Sequence, residues 1–168
     1  SYTILPFVVV DSLSVNGAIF RATDGFPETG FDGAKFTLVL AHNMKNTDYD
    51  WTAGIYGVNV NNNGEVTISL PLNSEITITG KPKDGKGNNV VFKFKMKKWF
   101  TSLGAASNNT WDIINASCNS YGQVASSLEL AQRPSSGVVP RKVGTLWGEY
   151  GNLKAYGSTF SSTDYWTS

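Results

Sequence analysis

Apolar and polar residues alternate through most of the first hundred positions, a pattern that predicts short β-strands. In the stretch AKFTLVLA, Phe36, Leu38 and Leu40 share one predicted face. Asn-Gly pairs at 16–17 and 63–64 separate alternating runs and predict tight hairpin turns. About seven such strands, with turn signals between them, predict an antiparallel β-sandwich.

The segment GFPETGFDG, residues 25–33, interrupts this alternation with glycines and a proline, and we expect it to form a loop. The segment 92–97 alternates large apolar residues with lysines, which predicts a strand with one solvated face. Lysines at a sheet edge discourage pairing with other sheets. Such an edge role explains these lysines better than a binding site for an anion does.

After Trp99 the alternation weakens, and the pattern favours a smaller α+β part. The stretch GQVASSLELAQ, residues 122–132, has helical spacing, and Pro134 follows it as a stop signal. The segment 143–157 predicts a second short helix or turn. No linker separates the two parts, so we expect rigidly joined domains at 1–97 and 98–168.

Composition excludes several classes of function. The net charge is +1 and charged residues make up 16% of the 168 residues, which gives no electrostatic footprint for nucleic acid. No apolar run reaches the roughly 18 residues of a membrane-spanning helix. Such a low proportion of charged residues is common among secreted or surface-displayed β proteins.

The residues needed for catalysis or metal binding are nearly absent. His42 is the single histidine and no nucleophile elbow is present, which argues against a Ser–His–acid triad. One histidine and the single Cys118 cannot supply a usual zinc site. Glu149 and Asp164 are candidates for a glycosidase pair, but nothing in the sequence brings them together. We therefore expect no enzyme and no cofactor. Cys118 is either a buried thiol or half of a disulfide whose partner lies outside this chain.

Two groups of motifs, in order along residues 11–168, carry a family resemblance. The first group consists of LSVNGAIF, GFPETGFDGAKFTL, YDW, VNVNNNGEVTI and ITITGKPKDGKGNNVVFKFKMKKWF. It resembles the immunoglobulin-like repeats of the bacterial intimin/invasin adhesins, which are inverse autotransporters. The second group consists of KKWF, SCNSYG, RKVGTLWGEYGN and YWTS. It resembles the C-type-lectin-like domain that caps those adhesins.

The resemblance implies a fold and a function. The fold is mainly β with a smaller α+β part: an immunoglobulin-like sandwich at 1–97, then a C-type-lectin-like domain at 98–168. The function is that of a virulence-associated adhesin tip in host–pathogen contact, displayed on the bacterial outer membrane. An N-terminal barrel that is absent from this chain would anchor it, and a rod of immunoglobulin-like domains would project it. Family members with known partners bind proteins such as integrins or a translocated receptor.

The resemblance also assigns roles to particular residues. It implies that the residues of its shared motifs serve the fold: Leu146, Trp147, Glu149, Tyr150, Gly151, Asn152 and Trp166. It implies that Cys118 pairs with a cysteine near the family's C-terminus, so we expect the last strands and the second cysteine beyond Ser168. The calcium and sugar signatures of true C-type lectins are not present.

The receptor-binding candidates are aromatic and arginine side chains in loops of the second domain, since such residues anchor protein interfaces. They are Tyr156, Phe160, Tyr165, Arg133 and Arg141. The predicted partner is a surface protein of a host or neighbouring cell. Two alternatives remain open: a calcium-independent carbohydrate-binding module that stacks sugars on aromatic rings, and a structural stalk segment that binds nothing.

Overall fold

The structure is a computed structural model that describes residues 4–106, 110–117, 120–124 and 140–156, with side chains placed at 4–100 and 140–156 apart from Lys154. We call residues up to 97 the first module and the residues after them the second module; this boundary stays a prediction. The strands of the first module are β1 (Val10–Val15), β2 (Ala18–Arg21), β3 (Thr29–Phe31), β4 (Ala34–Leu40), β5 (Tyr49–Thr52), β6 (Val58–Val60), β7 (Glu65–Ile68), β8 (Ile76–Pro82) and β9 (Val90–Phe94).

Two antiparallel sheets form a sandwich. One has the order β2-β1-β4-β7-β6 and the other β5-β8-β9. Phe36 of β4 connects them, because its ring lies 5.7 Å from that of Phe94 and 6.1 Å from that of Phe92 on β9. The side chains of Phe36 and Leu38 are at most 2% exposed, as the alternation predicted. The predicted sandwich is therefore confirmed.

Hairpin turns form at both Asn-Gly pairs. Val15 pairs with Ala18 across the first turn, where Asn16 and Gly17 have φ angles of 40° and 84°. Positive φ at both central positions is the geometry of the turn that matches strand twist. The second pair lies in the longer loop that connects β6 to β7, where Gly64 has a φ of 73°. The lysine-bearing β9 is an edge strand, and its Lys93 is exposed, as predicted.

A third sheet joins the two modules. It contains β10 (Lys98–Ala106), β11 (Thr110–Ser117) and β12 (Ser120–Val124) of the second module, in the order β12-β11-β10-β3. β3 belongs to the first module and pairs parallel to β10, with Lys98 opposite Thr29 and Phe100 opposite Phe31. The prediction of a loop over 25–33 is therefore wrong for residues 29–31, which form β3. The neighbouring sequence showed no sign of this strand, because its hydrogen-bonding partner comes from the second module.

The second module contains one short helix in the residues described, α1 (Leu146–Tyr150), followed by a 3₁₀ turn at Leu153–Tyr156. This confirms the prediction of a helix or turn over 143–157. The helix predicted over 122–132 is wrong at its start, because 122–124 belong to β12; the rest of it lies outside the described residues. None of the helices in the described ranges has the length and hydrophobicity to traverse a lipid bilayer.

Candidate functional site: the junction between the modules

Glu149 of α1 is fully buried where the second module meets β3. Its carboxylate accepts hydrogen bonds from the backbone N–H groups of Glu28 at 2.9 Å and Thr29 at 2.7 Å. The Thr29 hydroxyl donates to the same carboxylate, and the N–H of Gly144 lies 3.3 Å from it. A buried carboxylate is tolerated only when such donors replace water. Glu149 therefore joins the helix to a strand of the other module.

Burial also changes the acidity of Glu149. It raises the pKa of this carboxyl to about 7, and the hydrogen bonds from Thr29, Glu28 and Gly144 oppose the rise. Desolvation disfavours the charged form, whereas donors aimed at the oxygens favour it. The protonation state of the junction is therefore sensitive to pH near neutrality.

Tyr150 is the second buried residue of α1 that reaches the first module. Its hydroxyl donates to the backbone carbonyl of Thr29 at 2.7 Å, and its side chain is 0% exposed. Its ring lies 4.9 Å from that of Phe31 and 5.5 Å from that of Phe26. Edge-to-face aromatic pairs contribute stability beyond that of the apolar area they bury. Tyr150 thus packs into the end of the sandwich and satisfies a buried carbonyl there.

Arg141 uses its guanidinium to bridge the modules. It donates to the carbonyls of Val15 and Asn16 in the β1–β2 turn, at 2.7 Å for Asn16. It also donates to the carbonyls of Gly148 and Glu149, at 3.2 and 3.1 Å. The planar fork of arginine suits such multiple contacts in a way that lysine does not.

Asn16 makes the reciprocal contact from the first module. Its side-chain amide donates to the carbonyls of Tyr150 at 2.9 Å and Asn152 at 3.0 Å. These carbonyls lie at and beyond the C-terminal end of α1, where backbone acceptors lack partners within the helix. The β1–β2 turn therefore caps the helix from outside.

The sequence TLWGEYG fits the close approach of α1 to the first module. Thr145 caps the helix, because its hydroxyl accepts a hydrogen bond from the N–H of Gly148 at 3.2 Å. Gly151 ends the helix with a φ of 70°, and a Cβ there would lie 2.7 Å from Nη1 of Arg141. Both conditions favour glycine at this position.

Tyr156 is half-buried at the edge of the junction. Its ring meets those of Phe31 at 5.1 Å and Tyr150 at 5.8 Å, both edge to face. Its hydroxyl lies 3.4 Å from the carbonyl oxygen of Lys35 on β4. Tyr156 is therefore held rigidly between the modules while part of it still faces solvent.

The start of β10 is fixed to the same point. The backbone N–H groups of Lys97 and Lys98 both donate to the carbonyl of Glu28, at 2.8 and 3.1 Å. The Lys97 ammonium forms an ion pair with the Glu28 carboxylate at 3.0 Å. This pair is exposed and contributes little to stability. The backbone contacts fix where the chain leaves the first module.

The chemistry of this junction is structural. The Glu149 side chain is enclosed, with 0% of it exposed. In the part of the chain that the structure describes, no group of three His, Cys, Asp or Glu residues is arranged to hold a metal ion. What the arrangement does is couple the two modules through hydrogen bonds and packing.

The site residues named from the sequence fall into three sets. The motif residues Leu146 to Asn152 come together at the junction, and the receptor candidates Arg141 and Tyr156 lie there too. The remaining named residues lie outside the described residues: Cys118, Arg133, Phe160, Asp164, Tyr165 and Trp166. Sequence reasoning missed Asn16, Glu28 and Thr29. The Asn-Gly turn and the interrupted segment 25–33 were visible, but nothing local showed what they would contact.

Comparisons with known proteins identify relatives of this chain. Residues 11–94 match the family description "Invasin, domain 4". An invasin from Yersinia enterocolitica is 34% identical over 170 residues, which cover 98% of this chain and 20% of that relative. The chain therefore spans about a fifth of the length of this curated relative.

Solved structures are similar as well. The crystal structure of an invasin, described as a bacterial integrin-binding protein, matches with a TM-score of 0.75 at 29% identity, over 98% of this chain and 34% of that one. An intimin mutant from EHEC O157:H7 matches with a TM-score of 0.51 at 15% identity, over 92% of this chain and 71% of that one. The second similarity concerns the fold alone.

Proposed function

Because the chain belongs to the intimin/invasin family of adhesins, we propose that it attaches a bacterial cell to a receptor protein on a host or neighbouring cell, and that its two modules act as one rigid binding unit. The observation that carries the proposal is the junction. Glu149, Tyr150 and Arg141 connect the second module to the first through buried or half-buried hydrogen bonds. A surface composed of two modules presents a fixed geometry to a receptor only when they do not move relative to each other.

The receptor class that we propose is the one bound by a similar protein. The invasin whose structure covers 98% of this chain is described as integrin-binding. We propose an integrin as the receptor, and a position on the bacterial cell surface where such a receptor is reachable. We also propose that the second module is C-type-lectin-like and begins at residue 98. The motifs RKVGTLWGEYGN and SCNSYG support this assignment.

Attachment is tested with purified integrin ectodomains immobilised in a panel and the intact chain in solution, followed by biolayer interferometry. We expect saturable binding to at least one ectodomain. A parallel glycan array tests the carbohydrate alternative. Absence of binding to every integrin would reject the proposed receptor class, and absence of adhesion of protein-coated beads to cultured cells would reject attachment.

Rigidity is tested separately with Tyr150→Phe and Arg141→Lys, which loosen the junction without altering an exposed side chain of the sandwich. If the two modules bind as a unit, these variants dissociate faster from the integrin than the wild type does. An exposed tyrosine variant, Tyr56→Phe, serves as the matched control and keeps the wild-type rate. Equal dissociation of all variants would contradict the rigid-unit proposal.

A further inference from the structure

A polar groove of about 280 Å³ lies where the 3₁₀ turn of the second module overhangs the outer face of the five-stranded sheet. Ser14 of β1, Lys35 and Thr37 of β4, and Glu65 of β7 line its floor, and Tyr156 lines its wall. Both modules contribute to it, so the groove exists only when the junction is formed. Asn16 also lines it and accepts a hydrogen bond from Arg141, so the groove borders the junction.

Two opposite charges, those of Lys35 and Glu65, face this groove. In the described part of the chain the one ion pair joins Lys97 to Glu28, so neither the Lys35 ammonium nor the Glu65 carboxylate is neutralised by a neighbour. The two residues are diagonal neighbours, because Lys35 is opposite Thr67 and Glu65 is opposite Thr37. Diagonal neighbours on one sheet face are separated by about 7–8 Å. Side chains at that spacing leave room for a ligand group between them.

The side chains on the floor of the groove are aligned across three strands, and two of them are short. Ser14, Thr37 and Glu65 are in register across β1, β4 and β7. Ser14 and Thr37 carry short hydroxyl side chains, so another backbone is able to approach the sheet closely. Tyr156 adds a rigid wall, because its ring is packed against Phe31 and Tyr150. Interface anchors that are already ordered cost little entropy on binding.

We propose that this groove is a docking site for an extended peptide segment of the receptor that carries one acidic and one basic side chain. The inference rests on the proposed attachment function and specifies the chemistry of the partner. The acidic side chain pairs with Lys35, and the basic one pairs with Glu65. Extended chains rise about 3.3 Å per residue and alternate their faces, so two side chains on one face lie two residues apart at about 6.6 Å. The spacing of the groove charges therefore selects Asp-x-Lys or Lys-x-Asp.

A peptide array tests the charge pattern directly. Synthetic hexapeptides carry one Asp and one Lys separated by zero to four residues in either order, with Asn and Gln replacing the charges in neutral controls. We expect the intact chain to bind best at a separation of one intervening residue, in one of the two orders. Either Lys35→Glu or Glu65→Lys is expected to weaken that binding about tenfold, since a like charge then faces the peptide.

The double variant Lys35→Glu with Glu65→Lys keeps the net charge and is expected to prefer the opposite order of Asp and Lys. The matched controls Lys93→Glu and Glu75→Lys change exposed residues outside the groove and are expected to bind as the wild type does. Thermal melts of each variant confirm that it is folded. The proposal is overturned if binding does not depend on the Asp and Lys of the peptides. It is also overturned if the charge-reversal variants at Lys35 and Glu65 bind the array as the wild type does.

The receptor proposal and the groove proposal fail in different ways. If the wild type binds an integrin and the Lys35 and Glu65 reversals bind it equally well, attachment stands and the groove is rejected as the docking site. If no integrin binds, the receptor class is rejected, and the peptide array alone tests whether the groove binds peptides with the predicted charge pattern.

Discussion

Thr29 and Glu149 are 120 residues apart in sequence, and the carboxylate of Glu149 accepts hydrogen bonds from both the backbone N–H and the hydroxyl of Thr29. Hydrogen bonds to charged groups contribute about 1.5–3 kcal/mol each when both partners are present. Thr29 also belongs to the strand that pairs with β10. Docking of α1 and formation of the shared sheet are therefore coupled through one residue.

Replacing Tyr150 by Phe removes the hydroxyl that donates to the buried carbonyl of Thr29 at 2.7 Å. The acceptor is then left without this donor, and we expect the free energy of unfolding to fall by about 1–3 kcal/mol. Urea denaturation followed by tryptophan fluorescence measures this change. The control is Tyr56→Phe, because Tyr56 is 88% exposed and its hydroxyl is solvated. Equal losses in both variants would show that the Thr29 contact is not the cause.

The pKa of Glu149 predicts how stability depends on pH. Burial raises this pKa from 4.5 to about 7 in the folded chain, so the folded state binds the proton more tightly than the unfolded state does. The stability that the protonated Glu149 carboxyl contributes is therefore fully present below about pH 4.5 and is lost as the pH rises through 7. The loss in unfolding free energy is on the order of 3 kcal/mol.

Glu149→Gln isolates this contribution, since glutamine does not titrate. We expect the difference in unfolding free energy between pH 5 and pH 8 to shrink in this variant, as measured by urea denaturation at both values. Glutamine also points an NH₂ group towards backbone donors, so the variant is expected to be less stable than the wild type at pH 5. A wild-type pH dependence retained in Glu149→Gln would reject the assignment.

Asn16→Gly keeps the positive φ of the β1–β2 turn and removes both amide donations to the carbonyls of Tyr150 and Asn152. We expect a loss of about 1–2 kcal/mol. Asn43→Gly is the matched control, because Asn43 also has a positive φ, at 53°, and is exposed. Differential scanning calorimetry distinguishes the two: a lower melting temperature for Asn43→Gly alone would contradict the role of Asn16.

Arg141→Lys retains the charge and loses the fork that reaches Val15, Asn16, Gly148 and Glu149. We expect about 1–3 kcal/mol less protection of the α1 amides in hydrogen exchange. Arg21→Lys changes an exposed arginine and is expected to leave that protection unchanged. Unaltered exchange in α1 would leave Arg141 free for the receptor role predicted from the sequence.

Gly30→Ala tests the contact between β3 and the second module. A Cβ at position 30 would meet the sulfur of Met96 and lie 3.0 Å from the ring of Trp99. Overpacking of this kind costs about 1–3 kcal/mol. Adding Met96→Ala opens space at the sulfur, so the double variant is expected to lose less stability than the sum of the single variants. Strict additivity in urea denaturation would contradict the predicted clash.

Local pattern was sufficient to predict the sandwich and its hairpins, because alternation and Asn-Gly turns act within a few residues. The family resemblance identified the motif around Trp147 and Tyr150. Neither could show that β3 is a strand, since its partner β10 lies far along the chain. Arg141 illustrates the same limit, because nothing local predicted that its guanidinium would contact four backbone carbonyls from two modules. Its receptor role stays a prediction.

The parallel pairing of β3 with β10 joins distant parts of the chain, since Thr29 is opposite Lys98, which follows it by 69 residues. Closing so long a loop is entropically unfavourable until the contacts that hold it have formed. The hairpin β1–β2 joins residues only a few positions apart, such as Val15 and Ala18. We therefore expect the shared sheet to form after the hairpins of the sandwich, when the carbonyl of Glu28 receives the start of β10.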